Sequence, residues 1–292
     1  MIRRLPILKS GREYISRNKA PLLFIAPSFA GVLIFVLIPF VDVLRRSFFT
    51  ATGGDFVGIR NYLSVFSNDA FRLAAGNTLK FVLICIPLLL VCSMLLSLLV
   101  SGVKGGGGDY VRAIFLLPLV IPAASMVLIW KLFFHDNGLI NSALSAPVPF
   151  MGSAAAFWVL TVSYLWKNTG YDMVLWLGGL SRIHGDIYEA AAIDGAGSFK
   201  RLLYITLPNL VGISFMVAVL SLLNSFKVFR EAYLVAGEYP HTSMYMLQHL
   251  FNNWFTALDM EKLSAGAAVT AFVIFMLIFV WMRLIGEGKT DV

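Results

Sequence analysis

Apolar residues in this chain come in long blocks separated by short polar stretches. Six blocks approach or exceed the roughly twenty residues that carry a helix across the hydrocarbon of a bilayer: 21–44, 77–101, 110–134, 154–180, 207–226 and 265–285. The pattern predicts an all-α, polytopic membrane domain over 21–285, after a basic segment 1–20 and before a short polar tail 286–292. Pro118 and Pro122 fall inside the third block, where neighbouring helices can re-satisfy the carbonyls they free. The fourth block carries Tyr164, Trp166, Lys167, Asn168, Tyr171 and Asp172 within a turn or two. Ionisable groups at membrane depth are costly, so this stretch is expected to face protein or water rather than lipid.

Composition agrees with the pattern. The chain is 59% hydrophobic and 13% charged, against about a quarter charged in soluble domains. Its net charge of +7 is concentrated partly in Arg3, Arg4, Lys9, Arg12, Arg17 and Lys19. That cluster places the N-terminus in the cytosol by the positive-inside rule. Arg45, Arg46, Arg60 and Arg72, in the loop expected over 45–76, count against it. With six spans, both termini, the turn at 102–109 and the segment 181–206 share the cytosolic side. The first block is too long for a signal-peptide core and lacks a small-residue cleavage site. No basic stripe interleaved with aromatics lies outside the apolar blocks, so no nucleic-acid partner is expected.

Candidate chemistry changes the picture little. Cys85 and Cys92 are seven residues apart, about 10 Å along a helix and too far for a disulfide; both are expected to be packing residues. His135, His184, His241 and His249 have no metal-ligand spacing, although the last two could share a helix face. The run Gly105–Gly108 lacks the Lys-Ser or Lys-Thr of a phosphate loop. Gly288-Lys289-Thr290 resembles a Walker ending, but Arg283 stands where the first glycine belongs. No nucleophile–base or metal constellation points to an enzyme.

The most informative stretch is polar-interrupted and runs from Tyr188 to Pro208. Glu189–Ile193 are good helix formers, Gly195 and Gly197 break the run, and a second helix is expected from Ser198 to Tyr204. Ser198 suits its N-cap, and Pro208 suits the first turn of the next apolar segment. Glu189-Ala190-Ala191, three residues, Gly195, nine residues, Ile205, one residue, then Leu207-Pro208 resembles the EAA signature of ABC importer permeases, with Asp194-Gly195-Ala196 fitting the same pattern. The alternative is an amphipathic interfacial loop.

The resemblance extends along the chain to the carbohydrate-uptake permeases of the maltose and glycerol-phosphate type. Phe56-Val57-Gly58-Ile59-Arg60-Asn61-Tyr62 is similar to the group's FxGxxNY segment, Asn77-Thr78-Leu79 to the start of its second helix, and Ser225-Phe226 through Pro240 to its SFxxF stretch. Glu238-Tyr239-Pro240 departs from the usual Gly-Gly-Pro, Ala236 from the usual Thr, and His184-Gly185 from a frequent Pro.

The resemblance implies a type I importer permease in a bacterial cytoplasmic (inner) membrane, the first of two unlike permeases, importing a sugar or oligosaccharide by alternating access. Implied partners are a second homologous permease, two ATP-binding cassette subunits that hold ATP and Mg, and an extracytoplasmic solute-binding protein. Glu189 and Asp194 are then docking acids. Sugar contacts are implied for Tyr164, Lys167, Asn168, Tyr171, Asn224, Ser225 and Val228; the bland alternative is a polar seam between helices. Lys167 is compatible with an acidic or phosphate-bearing substrate, or with pairing to Asp172 or Asp42. A self-contained secondary transporter is the competing class, but the two halves show no convincing repeat.

Overall fold

The computed structural model describes residues 19–51, 54–103 and 107–287, with side chains from 23 to 283. The basic segment 1–18, the Walker-like Gly288-Lys289-Thr290 and much of the glycine-rich turn lie outside the described residues. Regular structure among the described residues is helical, apart from one isolated bridge between Phe49 and Phe56.

The first block forms one rod: α1 (Lys19–Val32), a π turn (Leu33–Leu37) and α2 (Ile38–Arg46). None of its residues from Leu23 to Arg46 is buried. The loop expected over 45–76 is instead mostly helix, comprising α3 (Arg60–Ser67) and the first turns of α4 (Asp69–Ser101). Asn68 separates them: its backbone is extended and its Oδ1 accepts the Phe71 N–H at 3.0 Å, capping α4. Burial of Val65, Phe71 and Ala74 beside Trp254 and Ala265 stabilises these turns despite their polar sequence. Asn61 donates to the carbonyls of Ser47 (3.1 Å) and Phe49 (2.9 Å), and the Tyr62 hydroxyl lies 2.7 Å from Ser47 Oγ. The Asn-Tyr pair thus fastens α3 to the end of α2.

The third block is two helices rather than one, α5 (Gly107–Val120) and α6 (Ala123–Phe134), followed by the short α7 (Leu139–Ala143). The axes before and after the break differ by 97°. Pro122 has no N–H to donate and disfavours helical geometry at Ile121, which accounts for the break there.

At the centre stands α8 (Ala156–Leu180), packed against α4, α5 and α11 (Leu207–Ser225). Small residues allow the close approaches. A Cβ on Gly170 would lie 1.8 Å from the Phe115 carbonyl oxygen, and one on Gly179 would lie 2.7 Å from Ile213 Cγ2. The Trp176 indole donates to Ser93 Oγ at 3.0 Å, tying α8 to α4. Cys85 is buried in this core and both cysteines are free, but Cys92 is exposed rather than packed.

After α8 come α9 (Gly185–Ile193), α10 (Ser198–Arg201) and a π turn (Leu202–Thr206) leading into α11. Gly197, not Ser198, is the N-cap of α10, and the helix does not stop at Tyr204 but continues into α11. Nor does the fifth block end at 226. A 3-10 turn (Phe226–Val228) and α12 (Phe229–Ala236) prolong it, and α13 (Leu247–Thr256) precedes α14 (Met260–Glu287). His241 lies outside the helix that carries His249, so the two share no face.

Four helical runs among the described residues are long and apolar enough to cross a membrane: Leu23–Arg46, Asp69–Ser101, Ser198–Ala236 and Met260–Arg283. The bent pair α5–α6 makes a fifth if counted as one span. The α8 helix is outside that set because Lys167, Asn168 and Asp172 dilute its apolar character. Its 25 residues nonetheless reach about 37 Å at 1.5 Å per residue, more than the thickness of a hydrocarbon core.

Candidate functional site

Midway along α8, the polar residues that break its hydropathy gather on one wall of a cavity of about 300 Å³. Ser163, Tyr164, Lys167, Asn168 and Tyr171 come from α8, and Asn224, Lys227, Val228 and Glu231 from α11, the 3-10 turn and α12. The opposite side is closed by Leu119 of α5 and by Met126 and Trp130 of α6. The break at Ile121-Pro122 lets both arms of this bent pair reach the same cavity.

Several of these side chains are held from behind. The Tyr164 hydroxyl donates to the Ser221 carbonyl at 2.7 Å, crossing from α8 to α11. Asn168 donates through Nδ2 to the Tyr164 carbonyl at 2.8 Å. Lys227 donates to Asn224 Oδ1 at 2.8 Å. Behind the wall, buried Ser221 places Oγ 2.6 Å from Asp172 Oδ2. Lys167 is paired with Glu231 rather than with Asp172 or Asp42. Asp42 bonds Arg46 at 2.6 Å, and only the backbone path through α12 brings Glu231 across from Lys167.

Six of the seven expected sugar-contact residues therefore border one cavity, and Ser225 does not. Its hydroxyl donates to the Leu222 carbonyl at 2.6 Å and is buried in the helix interface. Sequence reasoning missed Trp130 and Glu231. Trp130 is only 3% exposed, and its indole N–H has no partner among the described residues. Such an orphaned donor beside a cavity is suited to a ligand hydroxyl. The sequence carries a weak signal for Glu231, an acidic residue one turn beyond Lys227 and next to Arg230.

The second candidate element is the hairpin from α9 to α10. Its turn closes as a Schellman motif: Ala196 N donates to Ala191 O at 2.8 Å and Gly195 N to Ala192 O at 3.1 Å. Gly195 has φ +76° there, a left-handed conformation that only glycine adopts without strain. Glu189, Ala190, Asp194 and Gly195 are exposed, Ala191, Ala196, Ile205 and Leu207 partly so, and Pro208 exposed. Neither Glu189 nor Asp194 forms an ion pair among the described residues. Ile193 (88% exposed) and Phe199 (71%) stand free beside them. At the base, the Tyr188 hydroxyl meets Thr206 Oγ1 at 2.9 Å.

No protein-family model matches the chain. Full-length relatives do. The trehalose/maltose transport system permease protein MalF of Thermococcus litoralis is 29% identical over 279 residues, covering 92% of this chain and 94% of that protein. The sn-glycerol-3-phosphate transport system permease protein UgpA of Escherichia coli is 26% identical over 296 residues, covering 97% and 99%. A chain from the crystal structure of a bacterial ABC transporter involved in import of the acidic polysaccharide alginate superposes with a TM-score of 0.83 at 21% identity. That match covers 96% of this chain and 99% of the other. The chain therefore has the fold of an ABC importer permease, and over nearly its whole length it resembles the permeases of sugar importers.

Proposed function

We propose that this chain is the transmembrane permease subunit of an ATP-binding-cassette importer. It would translocate a sugar or oligosaccharide delivered by an extracytoplasmic solute-binding protein. The observation that carries the reading is one chain holding both a polar, aromatic-edged cavity halfway along its central helix and an exposed helix–glycine–helix hairpin at one end of that helix. The cavity combines apolar walls with a few fixed polar groups, the usual make-up of a small-molecule site. The hairpin presents Ile193, Phe199 and the acids Glu189 and Asp194 outward, a surface suited to an ATP-hydrolysing partner that binds ATP and Mg.

Translocation follows from alternating access, in which two permeases rock about the cavity as the ATPases close and open. The unburied apolar rod from Leu23 to Arg46 is left for lipid and for the second permease. Both termini and the hairpin lie on the cytosolic side of the bacterial inner membrane. Glu231 matches the charge of Lys167, so that lysine by itself is no argument for an acidic substrate. Lys227, which forms no ion pair among the described residues, leaves the wall with one positive charge in excess.

Uptake by the reconstituted importer tests the cavity. Tyr171→Ala removes a lining side chain with no side-chain hydrogen bond among the described residues. It should raise the apparent KM about tenfold, since one lost hydrogen bond or stacking contact is worth roughly 1 kcal/mol or somewhat more. Unchanged uptake kinetics would place the sugar elsewhere.

A further inference from the structure

At the hairpin end of the bundle a cleft remains that the transport reading does not use. A cavity of about 450 Å³ is bordered by Ser101, Arg112, Leu180, Ser181, Tyr188 and Thr206. A second, of about 310 Å³, shares Leu98, Tyr188 and Thr206 with it and adds Arg201. Two arginines from distant parts of the chain therefore open onto adjoining spaces, one from α5 and one from α10.

Their hydrogen bonding is incomplete. Arg112 Nε and Arg201 Nε are both buried without a partner among the described residues. Of the other donors in the walls, the Ser198 hydroxyl has no hydrogen bond among the described residues, and the rest are engaged. Ser101 donates to Leu98 O at 2.8 Å, Ser181 to Gly178 O at 3.0 Å and Thr206 to Arg201 O at 3.3 Å, which leaves Tyr188 to donate to Thr206 at 2.9 Å. No described carboxylate lines either cavity. Asp109 meets Arg112 Nη1 at 2.8 Å, but its own side chain is 78% exposed, so it sits outside the cleft. Two guanidinium groups bordering adjoining cavities with no described carboxylate in the lining call for an oxyanion, and phosphate geometry suits their fork.

The surroundings favour one source of that oxyanion. Ser101 and Leu180 are the last residues of α4 and α8, so the cleft lies where two long helices leave the apolar layer. Leu98, Leu177, Leu180 and Leu202 line its inner side, while Leu99 and Tyr204 project outward beside it, 71% and 77% exposed. Basic pockets at this depth bind anionic headgroups while acyl chains lie along the apolar flank. We propose that the cleft between Arg112 and Arg201 binds the phosphate of an anionic phospholipid and thereby anchors the base of the hairpin to the membrane surface. The inference rests on the chain spanning a membrane, not on its being an importer.

The test is native mass spectrometry of the full-length chain from nanodiscs of phosphatidylcholine with and without phosphatidylglycerol, purified alone and with its co-purifying subunits. Wild type should retain phosphatidylglycerol in preference to phosphatidylcholine. Arg112→Gln and Arg201→Gln should each weaken retention about tenfold, and the double variant should abolish it. Arg72→Gln, at the opposite end of α4, should bind as wild type does. If the double variant does not fold, the two single variants carry the test. Equal retention by wild type and the arginine variants overturns the site. Saturation by inorganic phosphate with no preference for phosphatidylglycerol overturns the lipid as its source. Loss of the lipid whenever the other subunits are present assigns the arginines to an acidic partner side chain and overturns the proposal as well.

Discussion

Lys167 of α8 and Glu231 of α12 form an ion pair in the wall of the central cavity, with side chains 22% and 7% exposed. Removing one partner of such a pair leaves an uncompensated charge in a poorly solvated place, a loss of about 3–5 kcal/mol in fully buried cases. Lys167→Met and Glu231→Gln should each destabilise the chain by somewhat less than that, because the lysine keeps part of its solvation. The double variant should recover much of the loss. Unfolding of the four proteins in detergent completes the cycle, and additive single effects would show that the pair is not coupled.

Gly170 is where α8 touches the backbone of α5 most closely. A methyl group there would overlap the Phe115 carbonyl, and rotamer adjustment cannot relieve a clash with backbone. Gly170→Ala is expected to cost about 3 kcal/mol or more, at or above the usual range for overpacking. Gly178→Ala in the same helix meets nothing within 4 Å and should be nearly silent. Comparable thermal stability of the two variants would mean that the helices separate at little cost.

Parts of this architecture are legible in the sequence because local signals and tertiary demands agree. The hairpin is one such part, since Gly195 and Gly197 interrupt good helix formers and the structure turns at Gly195 with φ +76°. The α8 cavity wall is another: Tyr164, Lys167, Asn168 and Tyr171 recur at helical spacing and do line one space. What the sequence hides is long-range. The early start of α4 depends on Phe71 and Ala74 meeting Trp254 and Ala265 nearly two hundred residues on. Glu231 could be matched to Lys167 only once α12 was known to continue the fifth helix. Hydropathy likewise undercounts α8, because the polar groups that suit it to line a cavity dilute the signal that marks a span.

His249, in α13 outside the membrane-spanning runs, is fully buried between Phe229 and Tyr245, and burial lowers its pKa to about 4. The folded chain therefore keeps the imidazole neutral, while the unfolded chain binds a proton below about pH 6.5. Stability from this group is fully present above pH 6.5 and is lost progressively as the pH falls toward 4. The full loss is about 3 kcal/mol. Thermal unfolding of wild type should show this decline between pH 7 and pH 4.5, and His249→Gln should flatten it. Parallel curves for the two proteins would contradict the assignment.

The measurement that bears most directly on the importer reading uses Gly195. Nothing lies within 4 Å of a Cβ built there, so a side chain strains only the left-handed backbone of the turn and leaves the bundle intact. Strain of about 1–2 kcal/mol at that residue is enough to deform the exposed hairpin. A tagged chain is purified as wild type and as Gly195→Asp, the co-purifying subunits are identified, and ATP hydrolysis is measured with sugar-loaded binding protein. The account predicts that wild type brings a second permease and an ATPase whose turnover responds to the sugar. The variant should remain folded but lose the ATPase or its response. A wild-type chain that purifies without partners and still transports sugar in liposomes would contradict the account and make it a self-contained transporter.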